Sequence, residues 1–138
     1  KQGLRAKPFM IKPNEFEMQR LTGQKLSKVS DYRAAAEGLV RKGIRIVIVS
    51  LGAKGALFVS KDEAFQILGI PVPVKSKVGA GDSLLGGFTL GLFRNMSLQK
   101  AAALGVAAST SAVMREAPRL CHRADISALL RKIRIRRF

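Results

Sequence analysis

The chain has 138 residues, of which 47% are hydrophobic, so its composition predicts one globular domain with a sizeable core and excludes a disordered chain. Its single cysteine, Cys121, excludes an internal disulfide. With no visible signal peptide, this predicts a reducing, cytoplasmic setting. The apolar run from Leu84 to Phe93 is too short to span a membrane, so no membrane association is expected.

The net charge of +16 is the strongest bias in the composition. A positive field attracts either nucleic acid or small anions such as phosphate esters. The densest basic cluster is the tail at residues 131–138, and the chain offers one tyrosine and no tryptophan on which bases could stack. We therefore expect small phosphates, and not nucleic acid, to be the main anionic partners.

The N-terminal residues predict a short strand followed by a helix. The strand covers residues 8–11, and Lys12-Pro13-Asn14 ends it because proline supplies no N–H. Asn14 is a good helix cap, and Glu17 stands at the spacing of a capping box. The helix is expected to end near Gly23. An ordinary cap fully accounts for Asn14 and Glu17 at this stage.

A second helix and a buried strand follow. Ser30 or Asp31 is the expected cap of the helix, and Gly43 ends it. Residues 44–49 are β-branched and almost all apolar, which is typical of a strand covered on both faces. The order strand, helix, strand predicts an α/β fold with a mostly parallel sheet and helices on both faces.

The segment Ser50–Ala56 allows two interpretations. It lacks the Gly-Lys-Ser/Thr ending of a Walker loop, and its spacing fits a hairpin turn between strands at residues 47–50 and 56–60. Alternatively, it is a ligand loop, since ligands bind beyond the carboxyl ends of strands in open α/β sheets.

The remainder predicts two short strands and three helices. The strands lie at residues 64–68 and 72–75, where neighbouring prolines favour sheet edges or connections. The helices lie at residues 83–94, 97–114 and 124–133. Glycines in the first of these helices cost roughly 1 kcal/mol each against alanine, which close packing on a neighbouring element would offset.

The sequence Gly79-Ala80-Gly81-Asp82 immediately precedes that helix. Glycines allow a sharp turn, and the first N–H groups of a helix lack internal partners, so the turn predicts a phosphate site. Asp82 is then a candidate proton acceptor for an attacking hydroxyl. The simpler interpretation is a first-turn acid that complements the helix dipole.

Three stretches, taken together and in this order, resemble the ribokinase/PfkB carbohydrate kinase family. They are IKPNEFE at residues 11–17, VSLGAKGAL at residues 49–57 and PVKSKVGAGDS at residues 73–83. The similarity spans residues 8–130, and within the family it is greatest to the ribokinase-like bacterial 6-phosphofructokinases. It implies the C-terminal, nucleotide-binding and catalytic-base part of a ribokinase-like three-layer sandwich over residues 1–138.

The resemblance implies ATP-dependent phosphorylation of a sugar phosphate, foremost fructose 6-phosphate to fructose 1,6-bisphosphate. In this family pattern Asp82 is the general base, and the backbone of Gly79, Ala80 and Gly81 is the anion hole over the moving phosphoryl group. The implied nucleotide contacts are Lys12, Asn14, Ser50, Leu51, Gly52, Ala53, Lys54, Gly55, Val106 and Thr110.

The resemblance also implies metal sites. Asn14 and Glu17 match a motif that acts on Mg²⁺, through water as that ion prefers. Ser76, Val78 and Ala112 fall where similar enzymes hold a monovalent cation such as K⁺. The sequence departs from the family pattern at three positions, with Lys77 in place of threonine and with Arg115 and Ala117 near the cation site. A guanidinium there either replaces K⁺ electrostatically or disables the site.

Family members are about twice as long as this chain, and the half that binds the sugar is not represented in it. The chain alone is therefore expected to bind ATP weakly and to turn over little sugar phosphate, since the acceptor is not oriented. A homodimer is expected of a full-length parent. The competing hypothesis is an inactive kinase remnant that acts as a basic binding or assembly module.

Overall fold

The structure is a computed structural model that describes residues 7–116 and 120–138. In these ranges the chain forms five strands, five α-helices and one 3₁₀ turn at Gly52–Lys54. The strands are β1 Met10–Ile11, β2 Ile46–Ser50, β3 Ala56–Ser60, β4 Ala64–Ile67 and β5 Ile135–Arg137. The helices are α1 Glu15–Thr22, α2 Val29–Arg41, α3 Ala80–Phe93, α4 Leu98–Val113 and α5 Arg123–Leu130. None of these described helices has the length and apolar character needed to cross a membrane.

The five strands form one sheet in the order β1-β2-β3-β4-β5. Strands β1 and β2 are parallel, with Met10 opposite Ile46, whereas β2 and β3 are antiparallel, with Ser50 opposite Ala56. The α/β class is confirmed, but the sheet is mixed. The connection between β2 and β3 is too short for the crossover that a parallel pair requires, and the hairpin interpretation of this segment is correct.

The chain divides into two compact units, one comprising the residues up to Gln66 together with Ile135–Phe138 and the other Ile67–Arg134. In the first unit α1 and α2 cover one face of β2 and β3. The residues of this core include Met18, Tyr32, Ala36, Leu39, Val47, Val49, Leu57 and Val59. Residues Ile48 and Phe58, on the other face of the two strands, are also fully buried, as the β-branched run predicts.

In the second unit α3 and α4 pack at unusually close range. A Cβ atom on Gly91 would lie 2.6 Å from the Cα of Ala101, and one on Gly105 would lie 2.7 Å from the carbonyl oxygen of Leu84. A Cβ on Gly87 would lie 2.9 Å from the carbonyl oxygen of Leu104. The expectation that close packing offsets the cost of the α3 glycines is therefore confirmed at Gly87 and Gly91. A Cβ on Gly86, by contrast, would meet nothing within 4 Å.

Several predicted boundaries are wrong. Residues 72–75 form no strand, and the Lys75 N–H instead donates to the Val113 carbonyl at 2.8 Å. Lys28, and not Ser30 or Asp31, is the N-cap of α2, and the Asp31 carboxylate accepts from the Lys28 N–H at 2.9 Å.

Two further differences concern where later helices begin or end. Helix α3 begins three residues earlier than predicted, at Ala80, because the glycine turn leads directly into helical backbone. Helix α5 ends at Leu130, and part of the basic tail forms β5, which the sequence analysis did not predict.

The close approach of α3 and α4 predicts opposite effects for two glycines on the same helix. Gly91→Ala should destabilise the chain because its Cβ would meet Ala101 backbone, whereas Gly86→Ala should be neutral or stabilising by up to about 1 kcal/mol through helix propensity. Thermal unfolding followed by circular dichroism checks this. Equal melting temperatures for the two variants would contradict the packing described here.

Candidate active site

The loop after β2 is held in a fixed conformation by its own backbone. The Leu51 N–H donates to the Gly55 carbonyl at 2.8 Å, and Gly52 and Gly55 have φ values of +57° and +94°. These left-handed values favour glycine. The side-chain amide of the buried Gln66, on β4, donates to the Lys54 carbonyl at 2.9 Å and so anchors the loop to the sheet.

The start of α1 lies beside this loop. The Ser50 N–H donates to the Pro13 carbonyl at 3.0 Å, and Ser50 forms a parallel bridge with Asn14. The Nζ atom of Lys54 lies 3.5 Å from Oε1 of Glu15. The first unit therefore gathers Asn14, Glu17 and the predicted nucleotide loop at the carboxyl ends of β1 and β2, with Lys12 immediately after β1.

Asn14 and Glu17 form the predicted capping box. Oδ1 of Asn14 accepts from the Glu17 N–H at 2.8 Å, and Oε2 of Glu17 accepts from the Asn14 N–H at 2.9 Å. Both residues are exposed, and Oε1 of Glu17 stays outside the box. One exposed carboxylate oxygen with an adjacent amide suits a water-mediated Mg²⁺ contact and not a full protein cage. Across the described ranges, no group of three acidic, histidine or cysteine side chains could enclose a metal.

The start of α3 has the predicted glycine turn. Gly79 is the N-cap, with a left-handed φ of +77°, and its carbonyl accepts from the Ser83 N–H at 2.9 Å. The amides of Gly81 and Asp82 precede this first helical bond and so have no acceptor within the helix. The Ala80 N–H makes only a long contact, 3.4 Å, with the Lys77 carbonyl. Backbone donors and positive dipole charge therefore coincide at this turn.

Asp82 lies at the third position of α3 and is exposed. Other acids at helix starts are engaged: Glu17 accepts from Asn14, Asp31 from Lys28, and Asp125 from Arg115. The Asp82 carboxylate, in contrast, has no hydrogen bond or ion pair with any residue that the structure describes. It is therefore an acid that contributes no capping bond and is open to an incoming group.

Leu120 contacts the glycine turn from outside the helix. A Cβ atom on Gly79 would lie 2.5 Å from Cδ2 of Leu120, in addition to the strain of a left-handed φ. The left-handed φ is the main reason for glycine at this turn, because the exposed Leu120 side chain could move away from an added Cβ.

The predicted cation residues lie around the end of α4. The N–H groups of Lys75 and Ser76 both donate to the Val113 carbonyl, at 2.8 and 3.3 Å, which places the Ser76–Val78 segment beside Ala112. Oγ of Ser76 accepts from the Val78 N–H at 3.1 Å. The Ala112 carbonyl accepts from the Arg115 N–H at 3.1 Å. Ala117 lies outside the described residues.

Arg115 is engaged in a polar cluster that joins the end of α4 to α5. Its Nε lies 3.2 Å from Oδ2 of Asp125, and its terminal nitrogen is also bonded to that oxygen. The buried Ser111 hydroxyl donates to the same oxygen at 2.9 Å and accepts from the His122 N–H at 2.9 Å. These contacts, first those from Arg115 and then that from Ser111, hold the pKa of Asp125 below its usual range.

Val106 and Thr110 are both buried within α4. The Thr110 hydroxyl donates to the Val106 carbonyl at 2.8 Å, a bond internal to the helix. The Thr110 hydroxyl is therefore already engaged within the helix, and the predicted nucleotide contacts of these two residues would not depend on it.

The sequence did not indicate the contacts of Gln66, Ser111, Leu120 and Asp125. Each acts through a contact with a residue at least ten positions away. Only Asp125 has a local signal, as an acid in the first turn of a helix. The predicted site residues fall in both units. Those at residues 12–17 and 50–55 belong to the first, and those at residues 76–82 and 106–112 to the second.

The second unit has the glycine turn with an exposed acid at a helix start, and the first unit has the fixed loop beyond a strand; these are the features by which the sequence resembles the sugar kinases. Comparison with known protein families agrees with this resemblance, because the family model of the pfkB carbohydrate kinases matches residues 1–124. The chain belongs to this family.

Two curated relatives from Escherichia coli (strain K12) are similar to it. The ATP-dependent 6-phosphofructokinase isozyme 2 is 40% identical over 117 residues, covering 84% of this chain and 38% of the relative. A 1-phosphofructokinase is 35% identical over 136 residues, covering 99% of this chain and 44% of the relative. The chain thus spans about two-fifths of the length of these relatives.

Solved structures give the same fold. The phosphofructokinase-2 from Escherichia coli in complex with potassium matches with a TM-score of 0.88 and 37% identity, over 94% of this chain and 42% of that one. A ribokinase from Thermotoga maritima matches with a TM-score of 0.79 and 29% identity, over 89% of this chain and 42% of that one. The ribokinase-like assignment is therefore confirmed.

The lowered pKa of Asp125 predicts a pH-dependent contribution to stability. A carboxyl with a depressed folded-state pKa stabilises the fold above its ordinary pKa, about 4, and loses that effect as the pH falls through the folded value. Asp125→Asn should therefore lower the unfolding midpoint at pH 7 and have a shrinking effect below pH about 4.

The matched control is Asp62→Asn, because Asp62 is 84% exposed and lies 4.0 Å from Lys61. It should leave the midpoint unchanged throughout. Urea unfolding at several pH values measures both variants. An Asp125→Asn effect that is absent at pH 7, or that stays constant down to pH 3, would contradict the role assigned to this cluster.

Proposed function

We propose that this chain is the nucleotide-binding and phosphoryl-transfer portion of an ATP-dependent kinase acting on a fructose monophosphate. The foremost acceptor is fructose 6-phosphate, giving fructose 1,6-bisphosphate. One observation carries the proposal: in a member of the pfkB family, Asp82 is exposed and unengaged beside the open amides of the first turn of α3. A family that phosphorylates carbohydrates needs both elements in one place.

Asp82 is assigned the role of general base. Its carboxylate takes the proton of the acceptor hydroxyl as that oxygen forms a bond to the γ-phosphorus of ATP and the bond to the ADP oxygen breaks. The backbone of Gly79, Ala80 and Gly81 would stabilise the negative charge that spreads over the transferring group. The exposed position of Asp82 supports this role because an acceptor can reach it.

The nucleotide is assigned to the remaining predicted residues. Lys12, Asn14 and the loop from Ser50 to Gly55 would contact its phosphates and ribose, and the α4 residues Val106 and Thr110 its base. Mg²⁺ would be held through water by Asn14 and Glu17 and would neutralise charge on the phosphates. The rigid loop and the exposed capping box support these assignments, since both offer fixed polar groups without reorganisation.

A monovalent cation is compatible with the residues present. The Arg115 guanidinium is neutralised by Asp125, so it adds no uncompensated charge that would replace or repel K⁺. We therefore propose that Ser76, Val78 and Ala112 retain a K⁺ site, in keeping with a neighbour solved in complex with potassium. A full-length enzyme should therefore be activated by K⁺. Arg115→Asn should leave that activation unchanged.

A second acceptor is favoured by one comparison. The 1-phosphofructokinase similarity extends over 99% of this chain, so a fructose phosphorylated at carbon 1 is the alternative substrate. The residues that would select between the two lie in the part of the relatives outside the match. A homodimer of the full-length protein stays a proposal, supported by the solved tetrameric form of a related phosphofructokinase-2.

Removal of the Asp82 carboxylate should stop transfer and spare nucleotide binding. In a fusion of this chain to the unmatched segment of the Escherichia coli isozyme 2, Asp82→Asn should lower kcat by about 10²- to 10⁴-fold. The Kd for ATP should change little, as measured by calorimetry. Asp62→Asn serves as the control for charge. An unchanged kcat in Asp82→Asn would exclude Asp82 as the base.

The chain alone should be a very poor catalyst. Without the acceptor-orienting portion its rate on fructose 6-phosphate should be at least about a thousandfold below that of the fusion. A coupled assay for ADP release at matched enzyme concentration checks this. A rate within tenfold of the fusion would show that residues 1–138 already hold the acceptor.

A further inference from the structure

The segment that follows β4 and the turn that follows α5 enclose a pocket within the second unit. The pocket has a volume of about 630 Å³ and is lined by residues 68–71 and residues 131–134. The Leu68 N–H donates to the Arg134 carbonyl at 2.9 Å, so a backbone hydrogen bond joins the two walls. A cavity of this size is in the range that small-molecule ligands occupy in proteins.

The two walls of the pocket differ in chemistry. Residues 68–71 have the sequence Leu-Gly-Ile-Pro and carry no charge, and Leu68 and Ile70 are half-buried. The other wall contributes the exposed cationic side chains of Arg131, Lys132 and Arg134. An apolar wall together with three cations suits a ligand that has both an apolar body and negative charge.

The three cations of the pocket have no anionic partner within residues 7–116 and 120–138. None of them forms an ion pair, a side-chain hydrogen bond or a ring contact there. The nearest acid in the sequence, Asp125, is already bound by Arg115. Three cations on four consecutive positions repel one another, and a bound anion would relieve that repulsion.

The apolar wall also supplies free backbone donors. The N–H groups of Gly69 and Ile70 have no hydrogen-bond acceptor among the residues that the structure describes, although both residues are half-buried. Half-buried amides without a protein acceptor normally bond to water or to a ligand. Exposed cations alone indicate only a solvated surface, whereas cations that share a pocket with unused amides indicate an anion site.

We propose that this pocket binds a small organic phosphate, a dianion with an apolar body. Arg131, Lys132 and Arg134 contact the phosphate, and Leu68 and Ile70 contact the apolar body. The lining contains no aromatic side chain on which bases could stack, which favours a single small ligand over a nucleic-acid strand. No lining residue is among those assigned above to ATP, Mg²⁺ or K⁺, so this site does not rest on the proposed function.

Amide chemical shifts of the ¹⁵N-labelled chain test this site directly. The probe is 1-naphthyl phosphate at about pH 7.5, where it is a dianion, and inorganic phosphate is the comparison that lacks the apolar body. Both should shift the Gly69 and Ile70 amide resonances. The Kd from these shifts should be at least about tenfold lower for 1-naphthyl phosphate, because its ring covers apolar surface. Ile70→Ala should reduce that difference and leave the Kd of inorganic phosphate unchanged.

Two charge-matched double variants separate the pocket from the general positive field of the chain. Lys132→Gln with Arg134→Gln removes two cations of the pocket, and Lys100→Gln with Arg94→Gln removes the same residue types at exposed positions outside its lining. The first pair should raise the Kd of 1-naphthyl phosphate at the pocket amides by at least about tenfold, and the second pair by less than about twofold. Both should keep the melting temperature of the parent, since the changed side chains are exposed.

Three results would overturn the proposal. Equal weakening in the two double variants would assign the binding to net charge alone. Shifts that are absent at Gly69 and Ile70, or confined to the amides of Gly79 and Gly81, would show that the probe does not bind this pocket. Equal Kd values for 1-naphthyl phosphate and inorganic phosphate would show that the apolar wall does not contribute to recognition.

Discussion

The left-handed turn at Gly79 is the constraint on which the second unit depends. Its φ of +77° is a left-handed value that favours glycine. Because the turn leads directly into α3, it fixes the directions of the first helical amides and of Asp82 together. One backbone bend therefore places the open amides and the adjacent acid on which the proposed phosphoryl transfer depends.

Backbone packing fixes the position of this glycine turn. Gly87 and Gly91 of α3 and Gly105 of α4 let the two helices approach to distances that any side chain would prevent. At the other end, the Val113 carbonyl holds the preceding segment through Lys75 and Ser76. The turn thus lies between two backbone anchors. Backbone anchors move less than flexible side chains, and phosphoryl transfer depends mainly on such fixed positioning.

The sequence predicted those features that arise from local geometry. The capping box of Asn14 and Glu17, the hairpin after Ser50 and the glycine turn were all recognisable, because each depends on residues within a few positions of one another. Strand β5 and the cluster of Arg115, Ser111 and Asp125 were not, because they depend on contacts between distant segments. The prolines near residues 72–75 were noted, yet the stretch was still assigned to a strand. The Lys75 N–H instead donates to the Val113 carbonyl at the end of α4.

Helix starts in this protein show why location alone does not identify a functional acid. An acid in the first turn stabilises a helix whether or not it has a further role, so Glu17, Asp31, Asp82 and Asp125 are alike by position. They differ in what their carboxylates accept. Three accept capping or ion-pair contacts that stabilise the fold, whereas Asp82 is exposed and has no such contact within the described part of the chain. An acid that contributes no local bond is the one that can exchange a proton with an incoming group without loss of structure.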